Sequence, residues 1–311
     1  MDYPSYFESK NSSNLFGLRK SVNFLYSLYC KKKLPKVLML SGNKGTGKST
    51  LINHFLFYIF DKNNYDDVSQ SISETSIVYK QFKENIFQNI IYFKGSDLKS
   101  IKVDDIRNLK SIIQQTSITD RERFIIFDDI EIFNISCLNA LLKIIEEPSR
   151  NNHFILINNK TKPLLDTIRS RSLEIKIILS EDERIKIIKE LVEFHNIETF
   201  LKVKDSNLTP GNFLKFNFIL NKHEISLKEN ILENISLLLN LHKKNKDILF
   251  IDILYHLLDF YFKSLKDENN LKNDKIYEIR NFVLDNMNKY LTFNLNQNSL
   301  INAINDKLNN G

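Results

Sequence analysis

The chain has 311 residues, 42% hydrophobic and 11% aromatic, which suits about two domains with substantial cores and leaves room for a third small one. A formal charge of +6 and a pI near 9.0 permit an anionic partner without requiring one. There is no uninterrupted apolar run of about 18 residues, and two cysteines, Cys30 and Cys137, exclude a disulfide framework and a four-cysteine zinc site.

The opening residues MDYPSYFESK lack the basic-then-apolar order of an export signal, so a cytoplasmic protein without membrane contact is expected. The first half alternates short apolar runs with amphipathic segments, the pattern of an α/β parallel sheet. Strands are predicted at Val37–Leu40, Ile90–Phe93, Phe124–Phe127, Phe154–Ile157 and Leu173–Ile177. Helices are predicted at Lys48–Phe60, Val103–Gln115 and Ile135–Glu146. The stretch Asp61–Glu84 is polar and without clear period, and reads as an insertion or long loop.

After Ser180 the strand pattern stops. Ser180 followed by Glu181, Asp182 and Glu183 is a helix N-terminus, with Ile185, Ile188 and Leu191 or Val192 expected on its buried face. Beyond a short helical region, Ile225–Leu308 reads as four amphipathic helices without proline. The predicted division is 1–179, an α/β P-loop domain; 180–221, a small helical lid; and 222–311, an all-α C-terminal domain.

The strongest chemical signal is Gly42-Asn43-Lys44-Gly45-Thr46-Gly47-Lys48-Ser49, a full P-loop pattern between a predicted strand and a predicted helix. Three of the seven glycines fall within these residues. Glycine permits the backbone that turns successive N–H groups toward a phosphate, and the following helix adds its N-terminal dipole. The candidate nucleotide-binding residues are Gly42, Gly45, Thr46, Gly47, Lys48, Ser49 and Thr50. Lys48 would reach the β- and γ-phosphates of ATP, and the Ser49 hydroxyl would ligate Mg²⁺.

The next apolar strand closes on two acids, FIIFDD. Asp128 stands where a magnesium-side carboxylate belongs, and Asp129 is the candidate base where a hydrolytic P-loop protein would place Glu. Aspartate is shorter by one methylene, about 1.5 Å. A misplacement of about 1 Å can cost on the order of 100-fold in rate. Nucleotide binding is therefore expected, and hydrolysis in isolation weak or absent.

At these residues the sequence resembles the bacterial clamp-loader family, of AAA+ type. Asn139–Pro148 (NALLKIIEEP) is similar to the family's helix after the acidic strand, and Ser170-Arg171-Ser172 resembles its Ser-Arg-Cys motif. Ile101–Arg107 is similar to the segment preceding that strand, and Asn158 or Asn159 falls at the sensor-1 position. The likeness covers about Leu15 to Leu214; the C-terminal helices match only in character. It implies that Arg171 acts as a finger on a neighbouring subunit's nucleotide, and that Asn158 joins the nucleotide residues. It also implies that the C-terminal helices form a collar.

Within that family two types compete. The ATP-hydrolysing gamma/tau motor carries a four-cysteine zinc module and a sensor-2 arginine. Here no cysteine lies between Ser49 and Asp128, and Leu208–Asn212 resembles the Ser-Pro-Gly segment of delta-prime, with Gly211 at the arginine's place. A chain ending at Gly311 has no room for a tau-like tail. The delta-prime type is the better resemblance, although its loop is degenerate in some relatives and complete here. The implied partners are gamma/tau and delta subunits, with the sliding clamp and primed DNA reached through the complex. The implied cofactors are ATP and Mg²⁺, without zinc. The alternatives are the motor type and an unrelated P-loop helper ATPase.

Overall fold

The computed structural model describes residues 3–95, 103–114, 122–148, 151–204, 206–226, 230–268 and 273–310. Two compact units emerge, one of Tyr3–Lys215 and one built on Phe216–Gly311.

The first unit is organised on a five-stranded parallel sheet in the order β4-β5-β6-β1-β7. Its strands are β1 (Val37–Ser41), β4 (Ile90–Lys94), β5 (Arg123–Asp128), β6 (Asn152–Asn158) and β7 (Leu173–Lys176). The three central strands β5, β6 and β1 are almost wholly buried, as their unbroken apolar runs require when helices cover both faces. On one face Leu38, Leu40, Phe124 and Ile126 pack with α1 (Arg19–Cys30) and α2 (Lys48–Phe60). On the other, Met39, Ile125 and Phe127 pack with α4 (Val103–Gln114) and α5 (Ile135–Ile145). In the sheet β6 lies between β1 and β5, so the chain leaves β1 at a change of strand order, where open α/β sheets place their ligands.

The five predicted strands and three predicted helices are present, with ends shifted by a residue or so. Gln115 and Ile101–Lys102 lie outside the described residues. The segment 61–84 differs from its reading as a loop. It holds a small antiparallel pair, β2 (Tyr65–Asp66) and β3 (Ser71–Ile72), and a helix, α3 (Ile77–Lys83). Tyr65, Ile72 and Tyr79 form a cluster with Phe57 of α2. The N-terminal segment extends this pair through Leu15 N–H to Gln70 O (3.1 Å) and Ile72 N–H to Ser13 O (2.8 Å). Strands of two residues and a helix of seven are too short to leave a period. That second layer explains why α2 is buried all round from Leu51 to Phe57.

After β6 comes α6 (Asp166–Arg169), and after β7 comes α7 (Glu181–Phe194). Ser180 and Glu183 close a reciprocal capping box at the start of α7. The most buried residues of α7 are Ile187 and Ile188, with Ile185, Leu191 and Val192 only half-buried. The expected face is rotated toward Ile187 because Gly17 packs on that side chain, so closely that a Cβ there would overlap it. The boundary between the units falls inside α8 (Pro210–Lys222).

The second unit continues with α9 (Ile231–Asn245), α10 (Leu249–Glu268), α11 (Asn273–Phe293) and α12 (Gln297–Asn310). These are the four helices expected. Their core includes Leu238, Phe250, Leu254, Met287 and Ile304. Among the described residues no helix is long and apolar enough to cross a membrane.

Candidate phosphate and magnesium site

The loop from Gly42 to Gly47 joins the end of β1 to the start of α2. Gly45 (φ +84°) and Gly47 (φ +87°) take left-handed backbone, which a side chain would strain by about 1–2 kcal/mol each. Gly47 is the N-cap of α2, so the loop's amides and the helix dipole converge on one point. Thr46 is buried, its hydroxyl donating to Asn43 O at 3.0 Å, and Thr50 is half-buried on the first turn of α2.

Lys48 is only 2% exposed. Its ammonium donates to Gly42 O and Asn43 O, both at 2.8 Å, and to the Thr46 hydroxyl at 3.3 Å. Burial pulls its pKa down to about 8, against the opposing pull of Asp128, Glu131 and Asp129. The groups bonded to this buried ammonium are neutral oxygens, so an anion brought to the loop would favour its charged form.

Asp128 closes β5 at the same end of the sheet. The Ser49 hydroxyl donates to its Oδ2 at 2.8 Å, the Tyr92 hydroxyl donates to the same oxygen at 2.6 Å, and Asp129 N–H donates to Oδ1 at 3.0 Å. Magnesium bound with a nucleotide needs only one or two carboxylates beside the phosphates. The Ser49–Asp128 pair fits that requirement. Among the described residues no group of three or more His, Cys, Asp and Glu side chains is placed to hold a metal by itself.

Asp129 has left-handed backbone (φ +56°), and burial, reinforced by Asp128, raises its pKa. Its Oδ1 accepts from the Asn159 amide at 2.5 Å. Buried Glu131 accepts from Asn159 N–H (3.1 Å) and from the Thr161 hydroxyl (2.8 Å), tying the acidic turn to the end of β6. Of the two sensor candidates, Asn158 is engaged locally. Its side chain accepts from Lys160 N–H at 2.8 Å and its carbonyl from Gly42 N–H at 3.2 Å. Asn159 is the one whose side chain meets the acidic pair.

The start of α8 lies against the loop. The Thr209 hydroxyl donates to Lys44 O at 2.6 Å, and Gly211 N–H donates to Gly45 O at 2.8 Å. A Cβ at Gly211 would come within 3.0 Å of the Gly45 Cα. Both bonds take loop carbonyls, so they do not compete with a phosphate for loop amides. Arg184 of α7 steadies the approach by donating to Ser206 O (2.7 Å) and Leu208 O (3.2 Å).

Arg171 stands away from this cluster, after α6 and before β7. Its guanidinium pairs with Glu146 at 2.8 Å and donates to Thr167 O at 3.1 Å. The Ser170 and Ser172 hydroxyls donate to Thr167 O and Ile168 O, closing the end of α6 and fixing the turn that carries Arg171.

The phosphate loop, Lys48, Ser49, Asp128 and Asp129 are therefore one cluster, with Asn159 joined to it. Sequence reasoning passed over Tyr92, Thr209 as a loop contact, and Arg184. Tyr92 carried a faint signal as the one polar tip in the apolar stretch IIYF. Thr209-Pro210 also reads as a helix start, with proline at the first helical position.

The chain is similar to several known proteins. The family model described as DNA polymerase III, delta subunit, matches residues 17–180. The gamma subunit of DNA polymerase III from Buchnera aphidicola (subsp. Acyrthosiphon pisum) is 24% identical over 197 residues, 63% of this chain and 52% of that one. The chain thus spans about half the length of the Buchnera aphidicola gamma subunits it matches. The delta-prime subunit from the same organism is 23% identical over 286 residues, 86% of each chain. A crystal structure of a gamma subunit-related protein from Thermotoga maritima is 16% identical, with a TM-score of 0.43 over 91% of this chain and 99% of that one. Since the family model covers more than half of its length, the chain belongs to the DNA polymerase III delta-subunit family, among the clamp-loader proteins.

Proposed function

We propose that this chain is the delta-prime-type subunit of a bacterial clamp loader. It binds ATP–Mg²⁺ through Gly42, Gly45, Thr46, Gly47, Lys48, Ser49, Thr50 and Asp128, with Asn158 or Asn159 beside the γ-phosphate, and turns it over slowly if at all. Residues 1–179 form the nucleotide domain, 180–221 its lid and 222–311 its share of a collar, in a cytoplasmic complex with gamma/tau and delta subunits. Arg171 serves the neighbouring motor subunit's nucleotide as a trans finger, a role worth about 10³–10⁵ in rate where it occurs. The complex places a sliding clamp on primed DNA, and this subunit makes no DNA bonds itself.

One observation carries the choice of type: where a motor subunit offers an arginine to its own γ-phosphate, this chain puts Gly211 backbone to backbone on Gly45. The second reading, a gamma/tau-type motor, is favoured by the complete loop and the Ser49–Asp128 pair. Reconstitution separates them. Gamma and delta subunits from the same source should load clamps and hydrolyse ATP in a DNA-stimulated way only when this chain is added. If this chain alone hydrolyses ATP at about 1–10³ per second, the motor reading replaces the first.

A further inference from the structure

We propose that Tyr92 is a positioning residue of the magnesium site, its hydroxyl fixing the orientation of the Asp128 carboxylate; this rests on the reading of Ser49 and Asp128 given above. Tyr92 of β4 lies in register with Ile126 of β5, two residues before Asp128. Register partners and residues two apart share a face, so Tyr92, Ile126 and Asp128 all project toward α2, which carries Ser49.

The ring and the hydroxyl do separable things. The ring packs against the core of that face, a job phenylalanine would do as well. The hydroxyl lies 2.6 Å from Asp128 Oδ2, converging with Ser49 Oγ on one oxygen while Asp129 N–H takes the other. Three donors from three elements thus set both the position and the rotation of one carboxylate. The Asp129 amide lies in the carboxylate's own turn, and Ser49 stands on the first turn of α2. Tyr92 is the donor anchored in a neighbouring strand. Groups that orient a metal ligand in this way typically change metal affinity by about 10- to 100-fold when removed.

The test titrates Mg²⁺ against binding of a fluorescent ATP analogue, starting from EDTA, for the wild type, Tyr92→Phe and Asp128→Asn. Tyr92→Phe is expected to keep the magnesium-free affinity and to need about 10- to 100-fold more Mg²⁺ for half of the magnesium-dependent gain. Asp128→Asn should lose most of that gain. Retained magnesium-free affinity also shows that the variant folds. Equal Mg²⁺ midpoints for wild type and Tyr92→Phe would overturn the assignment. A parallel loss of magnesium-free and magnesium-dependent binding would also overturn it, making Tyr92 a packing residue. Absence of any magnesium-dependent gain in the wild type would instead remove the site reading itself, and this inference with it.

Discussion

The Asn159 amide donates to Asp129 Oδ1 at 2.5 Å, so the acid proposed as the base is already held, in a left-handed turn, by the end of the neighbouring strand. Asp129 is also a methylene shorter than glutamate and has a raised pKa from burial beside Asp128. The isolated chain should therefore turn over ATP at less than about 1 per second, below the usual enzyme range. Asp129→Glu alone should leave the rate low, since it supplies neither a trans finger nor a γ-phosphate arginine. Steady-state phosphate release from the purified chain and this variant decides the matter.

Lys48 is buried with its pKa drawn down to about 8, so the apo fold carries it at a cost. Lys48→Ala should leave the thermal midpoint unchanged or slightly higher while weakening nucleotide binding by about 10- to 100-fold, the scale of lost charge-assisted hydrogen bonds. Calorimetric titration with ATP–Mg²⁺ reads the affinity. Equal affinity in both proteins would take the loop out of the nucleotide site.

Gly45 meets two demands at once, a φ of +84° and a Cβ position only 2.5 Å from the Thr209 hydroxyl. Gly45→Ala should destabilise the protein by about 2 kcal/mol, combining backbone strain with displacement of the start of α8. The pair Gly45→Ala/Thr209→Ala should recover the part of the crowding due to the hydroxyl, but neither the strain nor the close approach to Asn212 N at 2.9 Å, giving a favourable coupling in a denaturation cycle. Strict additivity would mean that α8 and the loop are not in contact in solution.

His54 is fully buried, its Nε2 at 3.1 Å from Ser12 O and its Nδ1 at 3.3 Å from the Tyr65 hydroxyl. Burial lowers its pKa from 6.5 to about 4. The unfolded chain then binds the extra proton first, so the contribution is fully present above pH 6.5 and is lost as pH falls toward 4. Between pH 7 and pH 5 the loss should be about 2 kcal/mol. Urea unfolding of His54→Gln should show a pH dependence shallower by that amount. Equal slopes would mean that His54 is solvated in the native state.

The readable parts of this chain are those whose physics is local. A P-loop is a contiguous string of glycines and one lysine, and the buried strands FIIF and FILI announce themselves by unbroken apolar character. Helix α1 was passed over even though Val22 and Leu25 are buried, because its exposed Phe24 and half-buried Tyr29 blur the stripe. The hairpin at Tyr65–Ile72 is held by Ser13 and Leu15, some fifty residues upstream, and no window of sequence displays that pairing. The same holds for Tyr92 and Asp128, joined only by the register of β4 on β5.

Arg171 gives the sharpest separation of a structural subunit from an enzyme. Its guanidinium now rests on Glu146 at 2.8 Å, an exposed pair worth about 0–1 kcal/mol, so a better anion in a neighbouring subunit can draw it away at little cost. The turn that carries it is fixed by the Ser170 and Ser172 hydroxyls, which keeps the residue at one sheet edge. Arg171→Ala should leave this chain's own ATP affinity nearly unchanged, because the proposed phosphate contacts are Lys48, Ser49 and the loop. In the assembled complex the same change should depress ATP hydrolysis and clamp loading severely. Assembly itself should survive, since one exposed side chain is a small part of an interface of roughly 1,200–2,000 Å². Arg169 is the control: two residues away, equally basic, and paired with Asp166 at 3.5 Å. Arg169→Ala should leave the complex active. Should both substitutions reduce activity alike, or neither do so, Arg171 is a surface charge paired with Glu146 and the finger lies elsewhere.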